Sequence, residues 1–410
     1  ELMALLGNPQ DKLKVLHVAG TNGKGSVCRY LYSVLQENGY RTGLYTSPFL
    51  EVFNERIELD GAYISDADLT EYTDRVLKQV QRMVDAGKQS PTEFEVITAI
   101  ALLYFYEKGA DYVVLEVGLG GRGDSTNVCK APLISVITSI SYDHTDRLGD
   151  TLAKIAWEKS GIIKDGCPVV TSAKAPEALE VIERTAAEHH ALFFETRRIP
   201  YKIKEQGLDG SCFDVDFQGV LFEDLRISMV GAHQIENAIA ALAAINLLEE
   251  RGAVRIQKDK LYSGLRKAKQ IGRFEVLTAP DAKPVVLIDG AHNPDGAKVL
   301  RDAMKTFCPS QRILMVTGML ADKDTTGILW SFRDITTDFI ATEPANPRSM
   351  TKEALKDALQ AQGARCLALL EPEAAVEEAL RRKEDYDVIL FAGSLYLIGQ
   401  IRGMLREAVR

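Results

Sequence analysis

The chain lacks any apolar run long enough to cross a bilayer: the longest, Ala238 to Leu248, is well short of the ~20 residues required and contains Asn246. It also lacks a block of Lys and Arg, and its net charge is −9, so the electrostatic footprint of a nucleic-acid-binding surface is missing. Cysteine is sparse. Its six residues (Cys28, Cys129, Cys167, Cys212, Cys308, Cys366) include no C-x-x-C spacing, which argues against a zinc site and against a disulfide framework. The first residues show no basic, apolar, small-residue signal pattern. These absences point to a cytoplasmic protein with neither a nucleic-acid nor a membrane partner, and a monomer is expected.

What is present is ordinary globular material, 46% hydrophobic and 26% charged. At 410 residues the chain exceeds the ~250–300 at which one core stops growing, so two domains are expected. Short Val- and Ile-rich runs alternate with longer amphipathic stretches, the pattern of βαβ units around a parallel sheet. Buried strands are read at Val15–Ala19, Thr42–Thr46, Tyr112–Val117, Leu133–Ile140 and Pro168–Thr171, with helices near 24–38, 66–86, 93–108 and 151–161. Between about 200 and 230 a polar–apolar alternation with Gly-containing turns suggests a small antiparallel patch. After a helix near 234–250, further strands are read at Val285–Ile288, Ile313–Thr317, Phe339–Thr342, Cys366–Leu369 and Val388–Phe391. The domain boundary is placed near Gly272, giving 1–271 and 272–410.

The sharpest chemical signal is HVAGTNGKGS, residues 17–26, between a buried strand and a helix. Backbone N–H groups of such a Gly-rich turn face an anion, Lys24 adds a point charge, and a hydroxyl residue can reach Mg²⁺. Ser47, Glu116 and His144 each lie where the chain leaves a predicted strand, the end at which doubly wound sheets collect ligands. Singly, each has a bland explanation as a turn, satisfied or loop residue. Together with the phosphate loop they could supply oxygen and nitrogen ligands to a divalent ion.

Gly118 to Gly123 matches G-x-G-x-x-G, but the following Asp124-Ser125-Thr126-Asn127 opens no helix, so a dinucleotide site is rejected in favour of a special loop beside the substrate. Lys159, on residues alone, reads as a solvated helix lysine. Asp289 and His292, in DGAHNP, put polar groups at a strand end followed by a helix and could meet nucleotide.

At this point the sequence resembles the folylpolyglutamate synthases and dihydrofolate synthases of the Mur ligase superfamily. The stretches HVAGTNGKGSV, YTSPFLEVFNERI, TEFE, LEVGLGGR, TSISYDHTDRLGDTLAKIAWEKSGIIK, GAHQIENAIAAL, GRFEV, DGAHNP and GMLADKD carry the likeness in order. It implies an α/β fold: a P-loop parallel-sheet ATPase domain plus a smaller Rossmann-like C-terminal α/β domain. It implies transfer of the γ-phosphate of MgATP to a carboxylate of folate or dihydropteroate, and attack on the acyl phosphate by the amine of L-glutamate.

Carried onto this chain, Thr21, Asn22, Gly23, Lys24, Gly25 and Ser26 would hold the phosphates. Ser47, Glu116 and His144 would ligate magnesium, and Lys159, as a carbamate, a second magnesium. Asn237, Arg273 and Asp289 would contact ATP with His292 nearby, while Thr92, Glu93, Phe94, Glu95 and Arg122 would face the folate substrate. Two features depart from the family pattern: Gly123 stands where a bulky apolar residue is usual, and the Glu116–His144 spacing is one residue longer. The remaining alternatives are a cell-wall ligase acting on a UDP-sugar peptide and a nucleotide-dependent binding protein without ligase turnover.

Overall fold

A computed structural model describes residues 1–409. The chain divides into two compact units, residues 1–202, 213–227 and 234–268 in the first, and 203–212, 228–233 and 269–410 in the second.

The first unit is built on eight strands: β1 (Val15–Ala19), β2 (Thr42–Tyr45), β3 (Ile57–Leu59), β4 (Ala62–Tyr63), β5 (Tyr112–Glu116), β6 (Ile134–Ile137), β7 (Val169–Thr171) and β8 (Phe193–Glu195). Their spatial order is β4-β3-β2-β5-β1-β6-β7-β8. From β2 to β8 all pairs are parallel, whereas β3 and β4 continue the β2 edge antiparallel. Every residue of β1, β2, β5, β6 and β7 is buried, as the near-continuous apolar runs of a sheet covered on both faces require. Because β1 is flanked by β5 and β6, the loops leaving these three carboxyl ends gather at one place, where open α/β sheets form a ligand crevice.

The strand read at Leu133–Ile140 ends earlier, at Ile137. The backbone of Thr138 to Ser141 leaves the ladder because its groups bond the loop after β1, as described below. The hairpin β3–β4, the helix Pro176–Glu188 and strand β8 were not anticipated. Among the described residues no helix is long and apolar enough to cross a membrane.

A separate three-stranded sheet comprises β9 (Tyr201–Gly207), β10 (Gly210–Phe217) and β11 (Val220–Ile227) in the order β11-β10-β9. Two-residue connections, Leu208-Asp209 and Gln218-Gly219, are too short for a parallel crossover and make both pairs antiparallel hairpins. Gln218 and Gly219 have φ of 53° and 85°, the double positive φ of a turn matched to strand twist.

The second unit holds β12 (Glu275–Val276), β13 (Val285–Asp289), β14 (Ile313–Thr317), β15 (Asp338–Thr342), β16 (Arg365–Leu370) and β17 (Val388–Ala392), ordered β12-β13-β17-β14-β15-β16. Only β12 is antiparallel. Leu287, Met315, Phe339 and Leu390 from its central strands pack with Leu300, Leu329 and Phe332 from flanking helices into one buried core.

Candidate active site

The loop after β1 is shaped by glycine and held by the end of β6. Gly20 has φ of 145°, and a Cβ there would lie 1.8 Å from Thr138 Oγ1, so no side chain fits. Thr21 N–H donates to the Ser139 carbonyl (2.7 Å), Asn22 N–H to Ser139 Oγ (3.1 Å), and Thr138 Oγ1 to the Asn22 carbonyl (2.7 Å). The Thr21 hydroxyl donates to the Ser141 carbonyl at 3.1 Å. Gly23, at φ 89°, then opens the helix Lys24–Glu37 with no side-chain cap on its first amides, the arrangement that suits an anion.

Three buried side chains line the inner side of this turn. A Cβ on Gly23 would meet Asn237 Oδ1 at 2.5 Å. Asn237 Nδ2 donates to Gln234 Oε1 (3.1 Å), and Gln234 Nε2 donates to Ser26 Oγ (3.2 Å). The helix Ala232–Glu250 thus delivers Asn237 to the phosphate loop. Gln234 was missed by sequence reasoning, although it stands one turn before Asn237 on the same helical face.

Two lysines converge on the loop. Lys24 Nζ donates to the carbonyls of Gly20 (3.1 Å) and Thr21 (3.2 Å), and Lys159 Nζ donates to Gly20 at 2.9 Å. Lys159, on the helix Leu152–Ser160, is only 4% exposed, which corrects the residue-only reading of a solvated lysine. Burial, and next the charge of Lys24, lowers its pKa to about 7, against the opposing pull of Asp143 and Asp124. A neutral amine is therefore accessible near neutral pH.

Glu116 closes β5 and is buried, and the parallel register of Tyr45 with Leu115 brings the chain after β2 beside it. Ser47 N–H donates to Glu116 Oε2 at 3.2 Å. His144, exposed, starts the short helix Thr145–Leu148 with φ of 50°, its Nε2 3.8 Å from the Asp143 carboxylate. Ser47 with Glu116, and Lys24 with Lys159, are thus the pairs joined directly. Among the described residues no cluster of three or more His, Cys, Asp or Glu forms. Magnesium nevertheless fits the donor set, since it is held by one or two carboxylates together with phosphate oxygens and water, and the Glu116 carboxylate has hard oxygen to offer.

The glycine-rich run opens no α-helix; a single 3₁₀ turn, Ser125–Val128, follows it. Asp124 fixes this loop by accepting from Leu119 N–H (2.8 Å), Thr126 N–H (3.0 Å) and Thr126 Oγ1 (2.6 Å). Because that hydroxyl gives its proton to Asp124, it accepts from His17 Nε2 at 2.8 Å, which sets the tautomer of this buried histidine. Arg122 N–H donates to the Glu158 carbonyl (2.8 Å), and its guanidinium lies 3.9 Å from the Trp157 ring centroid. Phe94 backs the loop from the other side, since a Cβ on Gly118 would lie 2.5 Å from its ring. Thr92 and Glu95 form a capping box at the start of the helix Glu93–Glu107, so their exposed polar groups serve the helix end. Asp124-Ser-Thr is itself a turn-capping signature that could have flagged the loop's anchor.

In the second unit Asp289 is the last residue of β13. Its carboxylate accepts from Phe274 N–H (2.7 Å) and Ala291 N–H (2.8 Å). Burial raises its pKa, countered by Arg273 and by these two amides. Arg273 Nη1 lies 3.0 Å from where a Cβ on Gly290 would be, so the guanidinium runs over the DGAHNP turn. His292 Nδ1 bonds the Gly290 carbonyl (2.8 Å), and Asn293 caps the helix Pro294–Phe307.

Residues 18–245 match the Mur ligase middle domain, and residues 272–395 match the Mur ligase glutamate ligase domain. A dihydrofolate synthase/folylpolyglutamate synthase of Bacillus subtilis is 38% identical, over 99% of this chain and 94% of its own length. The crystal structure of a Thermotoga maritima folylpolyglutamate synthase, 35% identical, superposes with a TM-score of 0.87 over 100% of this chain and 93% of that one. A Mycobacterium tuberculosis folylpolyglutamate synthase complexed with ADP, 30% identical, gives a TM-score of 0.90 over 98% and 93%. Full-length kinship of this kind, together with a phosphate loop on a parallel sheet, places the chain in the Mur ligase family, among the folylpolyglutamate and dihydrofolate synthases.

Proposed function

We propose that this chain uses ATP to join L-glutamate to a folate, with dihydropteroate as the second acceptor to be tested. A carboxylate is a poor acyl donor because its leaving group would be an oxide. Attack of a carboxylate oxygen on the γ-phosphorus breaks the bond to ADP and makes an acyl phosphate. The glutamate amine then adds to the acyl carbon, loses a proton, and phosphate departs to leave an amide. Catalysis of such transfers rests on positioning and charge stabilisation.

The convergence of Lys24 and Lys159 on Gly20, beside a helix start, carries this reading. The amides of residues 21–26 hold phosphate oxygens, Lys24 supplies a fixed cation, and Asn237 keeps the turn in register. Ser47, Glu116 and His144 hold one magnesium, and Lys159 as a carbamate holds a second. Bound magnesium neutralises charge on the phosphate oxygens. The buried, near-neutral amine of Lys159 is the form that adds CO₂. Phe94 offers a ring for a flat heterocycle to stack on, and Arg122, braced on Trp157, offers a cation to a substrate carboxylate. In the second unit, Arg273 and Asp289 are nucleotide contacts and His292 lies beside them.

The direct test is the product: incubation with a folate, L-glutamate and MgATP yields the folate one glutamate longer. ATP consumption that leaves the folate unextended overturns the reading.

A further inference from the structure

The segment Gly272–Glu275 follows a strained path. Phe274 is buried and has φ of 40°, a region that bulky residues enter only when their surroundings over-determine it. Two contacts from the DGAHNP turn contribute: Phe274 N–H donates to Asp289 Oδ2 (2.7 Å), and Gly290 N–H to the Gly272 carbonyl (2.8 Å). The third comes from Glu275, whose Oε2 accepts from Gly272 N–H at 2.8 Å and so folds the four residues into a closed loop with Arg273 at its crest.

That carboxylate is itself held from far along the chain. Arg402, on the helix Leu395–Ala408, is 6% exposed and donates to Glu275 through Nη2 to Oε1 (2.7 Å) and Nε to Oε2 (3.0 Å). A two-pronged guanidinium fixes the plane of the carboxylate, which a point charge does not. Without it, Glu275 gains by turning towards water, the Gly272 amide loses its acceptor, and Phe274 is released towards negative φ. Each of these changes redirects Arg273.

We propose that Arg402 is a positioning residue for nucleotide binding, acting through Glu275 to hold the Gly272–Glu275 loop so that Arg273 is presented over Gly290. The proposal rests on the assignment of Arg273 as a nucleotide contact. Arg402 touches no substrate in this account. A merely structural ion pair would lower thermal stability and leave nucleotide affinity untouched.

The experiment measures ADP affinity by calorimetry, KM for ATP and for glutamate, and melting temperature in Arg402→Met, Arg402→Lys, Glu275→Gln, Arg273→Ala and the Arg402→Met/Arg273→Ala pair. Arg402→Met is expected to weaken nucleotide binding roughly ten- to a hundredfold, the scale of a misplacement of about 1 Å, with glutamate KM unchanged. Arg402→Lys falls between Arg402→Met and the parent. The double variant binds no more weakly than Arg273→Ala alone, because both act through one group. If Arg402→Met fails to fold, Arg402→Lys and Glu275→Gln decide, the latter keeping an oxygen for Gly272 N–H while losing the charge. Parent-like nucleotide affinity in the Arg402 and Glu275 variants while Arg273→Ala binds weakly overturns the clamp alone, as does additivity in the double variant. Parent-like affinity in Arg273→Ala overturns the Arg273 assignment, and the clamp with it.

Discussion

The side-chain nitrogens of Lys24 and Lys159 share one acceptor, the Gly20 carbonyl, at 3.1 and 2.9 Å. Two ammonium groups so placed repel one another, and the one deeper in the protein yields. Lys159 is that group, with its pKa lowered to about 7, and its amine becomes a nucleophile for CO₂. Replacing it with alanine is expected to reduce glutamate ligation by roughly a hundredfold or more, the scale of losing one preorganised group at a site of charge transfer. Bicarbonate should restore part of the rate by placing an anion where the carbamate would sit. Full activity in the untreated Lys159→Ala variant contradicts the carbamate.

Gly20 is pinned against Thr138 Oγ1, 1.8 Å from where a Cβ would stand, at a φ of 145°. Gly20→Ala should lower unfolding free energy by about 1–3 kcal/mol, the usual cost of overpacking. Adding Thr138→Ala should recover part of that loss by removing the hydroxyl, although the Thr138 Cβ position at 2.9 Å and the backbone strain remain. A denaturation midpoint unchanged by Gly20→Ala would contradict this packing.

His17 is wholly buried between Val18 and Leu16 on β1, and burial, with the Lys164 charge second, lowers its pKa from 6.5 to about 3. Between those values the unfolded chain binds a proton that the folded chain does not, so this histidine makes stability rise with pH from about 3 to 6.5. Its contribution is lost as the pH falls through that window and is on the order of a few kcal/mol. The difference in unfolding free energy between the parent and His17→Asn should therefore shift in favour of the parent from pH 4 to pH 7. A pH-independent difference would show that the histidine is protonated in the folded chain, or solvated.

Much of the frame was legible because its residues are strongly patterned. Buried runs such as VLHVA and YVVLE have no polar interruption, and a parallel sheet sends their ends to one edge. That logic foresaw Lys24, Ser47 and Glu116 at strand ends. What it could not see was contact across long sequence separations. Nothing local in TSIS tells that Thr138, Ser139 and Ser141 serve as the back wall of the loop at Thr21 and Asn22. Lys159 reads as a surface residue because its helix is short and polar neighbours surround it in sequence. Its burial follows from the loop 118–123 packing over it, where Arg122 N–H bonds the Glu158 carbonyl. Thr92 and Glu95 illustrate the opposite limit: a motif-level assignment to substrate coexists with a purely local task, capping their own helix.

Phosphate release, followed while each substrate is omitted in turn, tests the central account most directly. With MgATP, L-glutamate and either tetrahydrofolate or dihydropteroate, phosphate should appear in step with amide product, and turnover should collapse when glutamate or the pterin acid is left out. Steady phosphate release that ignores both folates and glutamate would contradict it.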